Sequence, residues 1–311
     1  MKHAIITGAR GFIGRHLARY LSTQGYHVSG LGHGAWTEKD AHAWGVTNWL
    51  NGEVCASNLD KLAEDSGIPD CLFNLAGGST VGASMATPEE DFQRTVTSCS
   101  RVLEWLRHSA PRCRAVLASS AAVYGSGYIT AIRETDSLHP YSPYGYHKRI
   151  GELLFESYAR NFGLSTSCVR LFSVYGPELR KQLCWDFCNR LLARPTELTL
   201  SGTGEELRDW IDVRDAAAYL ASAAELANTE CFVINGGTGH GVSVRVIVGA
   251  ICELWGKPMQ LCFSSERRRG DPDFLVADTS LSRLHDIQPK INWYQGLENY
   301  VAWFKASVGS S

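Results

Sequence analysis

The chain has 311 residues, of which 44% are hydrophobic and 20% charged, and its formal net charge is −2. That is enough chain to bury a sizeable core, and the charge excludes general nucleic-acid binding, which needs a basic surplus. No apolar stretch is long enough to span a bilayer and no signal-like leader precedes the first strand-like run, so a cytoplasmic protein without a membrane partner is expected.

Through the first half, short apolar runs alternate with amphipathic segments, the pattern of βαβ units around a parallel sheet. Strands are predicted at His3–Thr7, His27–Leu31, Cys71–Leu75, Ala115–Ser119 and Ser167–Leu171. Helices are predicted at Gly14–Gln24, Thr87–Arg107 and Tyr144–Phe162. Beyond about Val174 the regularity falls, although Cys231–Asn235 reads as a strand able to return to the sheet. With no repeat and no linker, residues 1–174 are expected to form a doubly wound α/β domain of the Rossmann type. Parts of 205–240 would complete its sheet, and 175–311 would mainly form a smaller, interwoven substrate-binding lobe.

The ten cysteines form no C-x-x-C pair. Cys184 and Cys188 lie one helical turn apart, but no His or Cys pair follows at zinc-site spacing. Buried free thiols, a reducing compartment and no metal are expected. Most of the nine Trp read as packing, with Trp185 near the pocket.

The segment Thr7-Gly8-Ala9-Arg10-Gly11-Phe12-Ile13-Gly14 ends the first strand and opens a helix. Glycines at 8, 11 and 14 permit a sharp turn, close approach of backbone to a pyrophosphate, and tight packing of helix on strand. The helix start adds free N–H groups and a positive dipole end. A carboxylate after the second strand would bind the adenosine ribose of NAD, yet that strand ends Gly30-Leu31-Gly32-His33. Arg10, with His33 assisting, could instead meet a 2′-phosphate. NADP is therefore preferred over NAD.

Tyr144 and Lys148, at i and i+4, share one helix face. An ammonium beside a phenol favours the phenolate and makes it a usable acid and base. Ser119-Ser120-Ala121-Ala122-Val123-Tyr124-Gly125 closes a strand, where open α/β sheets bind ligands. A hydroxyl from there can reach a substrate oxygen beside Tyr144, and Asn74-Leu75-Ala76-Gly77 would run along the cofactor. His147 faces elsewhere on the helix and reads as surface.

These motifs, with Arg170-Leu171-Phe172-Ser173-Val174-Tyr175-Gly176-Pro177, Gly202-Thr203-Gly204, Arg208-Asp209-Trp210-Ile211-Asp212-Val213 and Arg268-Arg269-Gly270-Asp271, resemble the extended short-chain dehydrogenase/reductase family of nucleotide-sugar epimerases and dehydratases. The resemblance implies that Tyr144 is the acid/base, Lys148 the ribose-binding partner and Ser120 the second hydroxyl on the reacting oxygen. It implies further cofactor-side positions at Asn58, Leu75, Ala76, Gly77, Ala118, Phe172 and Val174. For a nucleotide-diphosphate sugar it implies Arg208 and Arg268 at the diphosphate, with Ser79, Ser173, Gln182 and Leu183 along the pocket.

Three positions depart from the family pattern: Ser173 and Thr95 where asparagines are usual, and the missing carboxylate near Gly32. The absence of an acidic pair beside Ser120 and Ala121 argues against dehydration. Two outcomes share the remaining chemistry. A 4-keto-sugar reductase delivers hydride once from exchangeable NADPH, and a 4-epimerase removes and returns it on a retained NAD. Arg10 tips the expectation toward the reductase. A non-catalytic nucleotide sensor stays as a third alternative, against the intact Ser120, Tyr144 and Lys148. The resemblance also implies a homodimer paired through the Thr87–Arg107 and Tyr144–Phe162 helices.

Overall fold

A computed structural model describes residues 2–193, 197–256, 259–266 and 271–309. Seven parallel strands form the central sheet: β1 (His3–Thr7), β2 (His27–Gly32), β3 (Asn48–Asn51), β4 (Cys71–Asn74), β5 (Arg114–Ser120), β6 (Thr166–Leu171) and β7 (Phe232–Gly236). Their order is β3-β2-β1-β4-β5-β6-β7. The winding reverses between β1 and β4, so the carboxyl ends of those neighbours open the crevice where such sheets bind ligands. β3 was not expected. Its four residues, Asn48-Trp49-Leu50-Asn51, are partly exposed and carry too little alternation to mark a strand.

The strands are apolar because both faces are covered. All five residues of β1 are buried. The two-residue period sends Ala4 and Ile6 toward Leu17, Leu21 and Leu220, and Ile5 toward Leu72, Leu103 and Leu106. One face is thus sealed by the Phe12–Thr23 and Val213–Leu226 helices, the other by Ala56–Ser66, Ser98–Ser109 and Pro143–Phe162. Each fully buried Leu or Phe contributes about 1.5–3 kcal/mol.

The expected Thr87–Arg107 helix is built in three pieces: Pro88–Phe92, a five-residue π-turn at Gln93–Thr97, and Ser98–Ser109.

The second lobe has its own core around Phe187, Leu191, Ile247, Ile251, Leu297, Tyr300 and Phe304. It grows directly out of the sheet. Ser173–Tyr175 pairs with Leu207–Asp212, which also carries Gly241–Ser243 and Phe274–Leu275. Buried Asp209 collects N–H bonds from Thr238, Gly239 and Ala277 at 2.7–3.2 Å, tying two segments to one carboxylate. Among the described residues, no helix is long and apolar enough to cross a membrane.

A buried polar bridge joins sheet to helix beneath the carboxyl ends. Glu152, on the Pro143–Phe162 helix, accepts from Ser119 Oγ of β5 at 2.6 Å and from Arg170 of β6 through Nε and Nη2, both at 2.9 Å. Arg170 Nη1 also donates to the Tyr124 hydroxyl at 3.0 Å, and that hydroxyl donates to Asn235 Oδ1 of β7 at 2.7 Å. Breaking such a pair by removing one partner typically costs about 3–5 kcal/mol, because the other charge stays buried.

His16 ties the first helix to the lobe. Its Nε2 donates to the Pro177 carbonyl at 3.0 Å, and its ring meets Phe12 and Trp44 edge-on. Burial dominates the Pro177 bond and pushes its pKa from 6.5 down to about 4. Between those values the unfolded chain takes up a proton that the folded chain refuses, so stability falls as pH drops through this window, by up to about 3 kcal/mol. Urea unfolding across that range should show a shallower acid loss for His16→Asn than for wild type. Equal slopes would assign the loss to other groups.

Candidate active site

A cleft of about 1530 Å³ runs along the carboxyl ends of the strands and up into the second lobe. Its floor at β1 is the glycine turn. Gly8, at φ +74°, donates its N–H to the Leu31 carbonyl at 2.7 Å, a backbone conformation that side chains rarely adopt. A Cβ at Gly14 would meet the Gly8 carbonyl at 2.2 Å, so nothing larger lets the helix sit this close to the strand. Gly11 caps that helix without a side-chain bond, leaving its first N–H groups toward the cleft, which Gly11, Phe12, Ile13 and Gly14 line. This cradle fits a dinucleotide pyrophosphate.

Arg10 and His33 both line the end of the cleft near β2. The Arg10 guanidinium lies against Gly34, where a Cβ would fall 2.5 Å from Nη1. The nearby carboxylate comes from the turn that follows β3 instead. Gly52, Glu53 and Val54 line the cleft, and Arg101 Nη1 donates to the Val54 carbonyl at 3.1 Å while standing 3.5 Å from Glu53 Oε2. These three were missed together with the strand before them. Asn58 is absent from the cleft wall: its amide donates to the Glu53 carbonyl at 2.8 Å, so it shapes the Gly52–Val54 turn from behind.

At the end of β4, Thr7 Oγ1 donates to Asn74 Oδ1 at 2.6 Å and accepts from Ala76 N–H at 3.1 Å. That exchange turns Leu75, Ala76 and Gly77 along the cleft wall.

Tyr144 and Lys148 stand on the Pro143–Phe162 helix, started by Pro143 and by Ser142 Oγ accepting from Gly145 N–H at 3.2 Å. Gly145 lets the helix press on the turn after β5, since a Cβ there would lie 2.6 Å from the Ala122 carbonyl. Lys148, only 5% exposed, donates to the Ala118 carbonyl at 2.9 Å and lies 5.8 Å from the centroid of the Tyr144 ring. Ser120 Oγ accepts from Ala122 N–H at 3.2 Å. Tyr144, Lys148, Ala118 and Ser120 all line the same cleft as the glycine turn. The arrangement brings a phenol, a fixed ammonium and a hydroxyl to one wall, the equipment for moving a proton on a substrate oxygen.

His147 is not at the surface. It is 12% exposed and paired with Asp91.

Phe172, Ser173 and Val174 continue the wall from β6, Ser79 lines it beyond β4, and Gln182, Leu183 and Arg208 line the lobe side. Arg208 Nη2 donates to Asp271 Oδ1 at 2.9 Å, so its guanidinium is both in the cleft and ion-paired. Arg268 lies outside the described residues. Lys181 also lines this side, where burial lowers its pKa; its only sequence signal was adjacency to Gln182. Trp185 packs instead on Phe304 and Trp303, with centroids 5.1 and 6.2 Å away. Cys184 and Cys188 are buried in the lobe core, and no cluster of metal-ligating side chains occurs among the described residues.

Comparison with known proteins agrees with this geometry. Residues 4–234 match the model of the NAD dependent epimerase/dehydratase family. A UDP-glucose 4-epimerase of Azospirillum brasilense is 28% identical, the match covering 99% of this chain and 96% of the relative. A UDP-glucuronic acid 4-epimerase from Bacillus cereus, solved with UDP-glucuronic acid and NAD, superposes with a TM-score of 0.87 at 26% identity, covering 98% of this chain and 99% of that one. A UDP-glucose 4-epimerase from Thermus thermophilus, solved with NAD, gives 0.85 at 25% identity with the same coverage. A doubly wound parallel sheet, a tyrosine-lysine helix and a family match over most of the chain lead to one assignment: the protein is a member of the NAD-dependent epimerase/dehydratase family.

Proposed function

We propose that this enzyme is a nucleotide-diphosphate-sugar 4-epimerase that keeps its NAD bound through turnover. The supporting observation is the convergence of Ser120, Tyr144 and Lys148 in one cleft with the glycine cradle. The relatives favour the 4-epimerase over the single-transfer reductase that Arg10 had suggested, since similar proteins along the whole chain are 4-epimerases. The same three side chains speak against a non-catalytic sensor. UDP-sugars are the first candidate substrates, because the solved relative from Bacillus cereus holds UDP-glucuronic acid.

In this mechanism residues 1–174 with β7 hold the cofactor and the lobe from 175 onward holds the nucleotide sugar. NAD held along the glycine turn and the Leu75–Gly77 wall would supply a hydride acceptor and donor for the sugar C4. Tyr144 takes the hydroxyl proton as the carbon is oxidised and gives it back as the alcohol re-forms. Lys148, fixed on the Ala118 carbonyl, keeps a positive charge near that phenol. Ser120 hydrogen-bonds the same oxygen. Arg208, with Lys181 and the start of the Gln182–Leu192 helix nearby on the wall, meets the diphosphate. Ser79 and Ser173 contact the sugar. Tyr144→Phe should lower turnover by about 10²–10⁴-fold while cofactor stays bound. Full activity in that variant would remove Tyr144 from the role.

One observation favours wider cofactor tolerance. Arg10 covers the end of β2 beside Gly34, and no carboxylate occupies residues 32–34 to repel a 2′-phosphate. NADP should therefore bind within about tenfold of NAD, and Arg10→Ala should weaken NADP by about 1–3 kcal/mol while sparing NAD. Calorimetric titration of cofactor-free protein measures both, and an equal loss for the two cofactors would reject the assignment.

The Pro143–Phe162 helix leaves Tyr146 and Leu153, seven residues apart, 56% and 46% exposed. Phe92 and Met85 are exposed on the helices beside it. This apolar stretch supports a homodimer paired through these helices. Sedimentation velocity at micromolar concentration should give the mass of two chains, and a monomer there would reject the pairing. The ten unpaired thiols, eight of them buried, support a reducing compartment such as the cytoplasm.

A further inference from the structure

The helix that carries Tyr144 and Lys148 holds a second polar arrangement that the proposed chemistry leaves unused. His147, one residue before Lys148, turns toward the Pro88–Phe92 helix, where its Nδ1 donates to Asp91 Oδ2 at 2.5 Å. The two side chains are nearly closed to solvent, at 12% and 4% exposure. The Phe92 ring stands edge-on to the imidazole, with centroids 5.4 Å apart. A bond to a carboxylate in so dry a place is short, strong and directional.

Neither side chain lines the cleft, but both back its wall. A methyl group at Gly78 would fall 1.6 Å from Asp91 Oδ1, so the second carboxylate oxygen lies directly against the Gly78 backbone. Gly78 N–H in turn donates to Thr95 Oγ1 at 2.8 Å. Thr95 belongs to the π-turn at Gln93–Thr97, the kind of local insertion that re-aims a helical side chain. On the other side, a Cβ at Gly77 would lie 3.4 Å from the Lys148 ammonium. Asp91 and Thr95 therefore support Gly77 and Gly78 from behind, His147 anchors Asp91 to the catalytic helix, and the front of the same segment faces the cleft.

We infer that Asp91 and His147 form a positioning pair for hydride transfer. They set the separation between the Gly77–Gly78–Ser79 wall and the Tyr144–Lys148 face, and with it the seat of the nicotinamide against the sugar. This rests on the reading of the cleft as an epimerase site. Misplacement by about 1 Å far from the chemistry can cost about 10²-fold in rate.

The test compares His147→Ala, His147→Asn and Gly78→Ala with wild type, measuring kcat per bound cofactor, KM, cofactor content and melting temperature. His147→Ala should lose about 10–100-fold in kcat per bound cofactor, with KM moving less than about threefold. His147→Asn, whose amide N–H takes the place of Nδ1–H, should recover most of that loss. Gly78→Ala, by displacing Asp91, should reproduce it. Unchanged kcat per bound cofactor in His147→Ala, whatever the melting temperature, overturns the inference, and so does a loss that His147→Asn fails to rescue. Should wild type turn over no sugar in a panel of UDP-, GDP- and dTDP-sugars, the epimerase reading fails separately. The pair is then read from the emission of bound NADH. A shift in His147→Ala that His147→Asn reverses supports positioning, and identical spectra in all three proteins reject it.

Discussion

The wall that carries Tyr144, Lys148 and Ser120 hangs on the buried Glu152–Arg170 pair. Glu152 lies one turn beyond Lys148 on the same helix, and its carboxylate holds Ser119 of β5 and Arg170 of β6 at once. Arg170 passes the connection on to Tyr124 and, through that hydroxyl, to Asn235 of β7. Helix, two central strands and the returning strand thus share one satisfied network. An apolar filling of equal volume could match its packing, but it would lose the directional bonds that index the helix against the strand bearing Ser119 and Ser120. The angle at which Tyr144 meets the cleft is inherited from this bridge.

A second constraint acts at the opposite edge of the cleft. The glycine turn succeeds because Gly8 and Gly14 let strand and helix approach to a distance no side chain permits. The gain is a row of unbonded N–H groups aimed into the cavity, and the cost is a segment with few side-chain contacts of its own. His16 and Arg15 compensate from one turn further along. The first bonds Pro177 and the second reaches Glu178 at 2.9 Å, so the glycine turn is braced against the lobe that follows β6.

Much of this was legible in the amino-acid order. The glycines follow a strand and open a helix, and Tyr144 and Lys148 sit on one helical face, because both patterns are local and depend only on backbone geometry. The strands of the sheet's centre announced themselves as apolar runs. β3 did not, since an edge strand with partly exposed residues needs no such run, and Gly52–Val54 disappeared with it. His147 was misread because helical spacing gives the direction of a side chain but not what waits there. Asp91 is 56 residues away and reaches it only through tertiary packing. Arg10 drew the expectation toward a reductase through its charge alone, whereas the comparisons weigh the whole chain and favour the epimerase. Lys181 carried no signal beyond its adjacency to Gln182, and only the tertiary packing of the lobe beside the sheet gives it a place in the wall.

The last strand of the sheet comes from the far side of the chain. β7 pairs with β6 along its full length, from Phe232 opposite Ser167 to Gly236 opposite Leu171. During synthesis the first six strands leave the ribosome long before their neighbour exists, and the edge of β6 waits unpaired while about sixty further residues are made. An open parallel edge is a template for pairing with another chain, and such long-range closure is slow. The first half of the chain therefore leaves one flank of its own sheet open until the second half supplies β7.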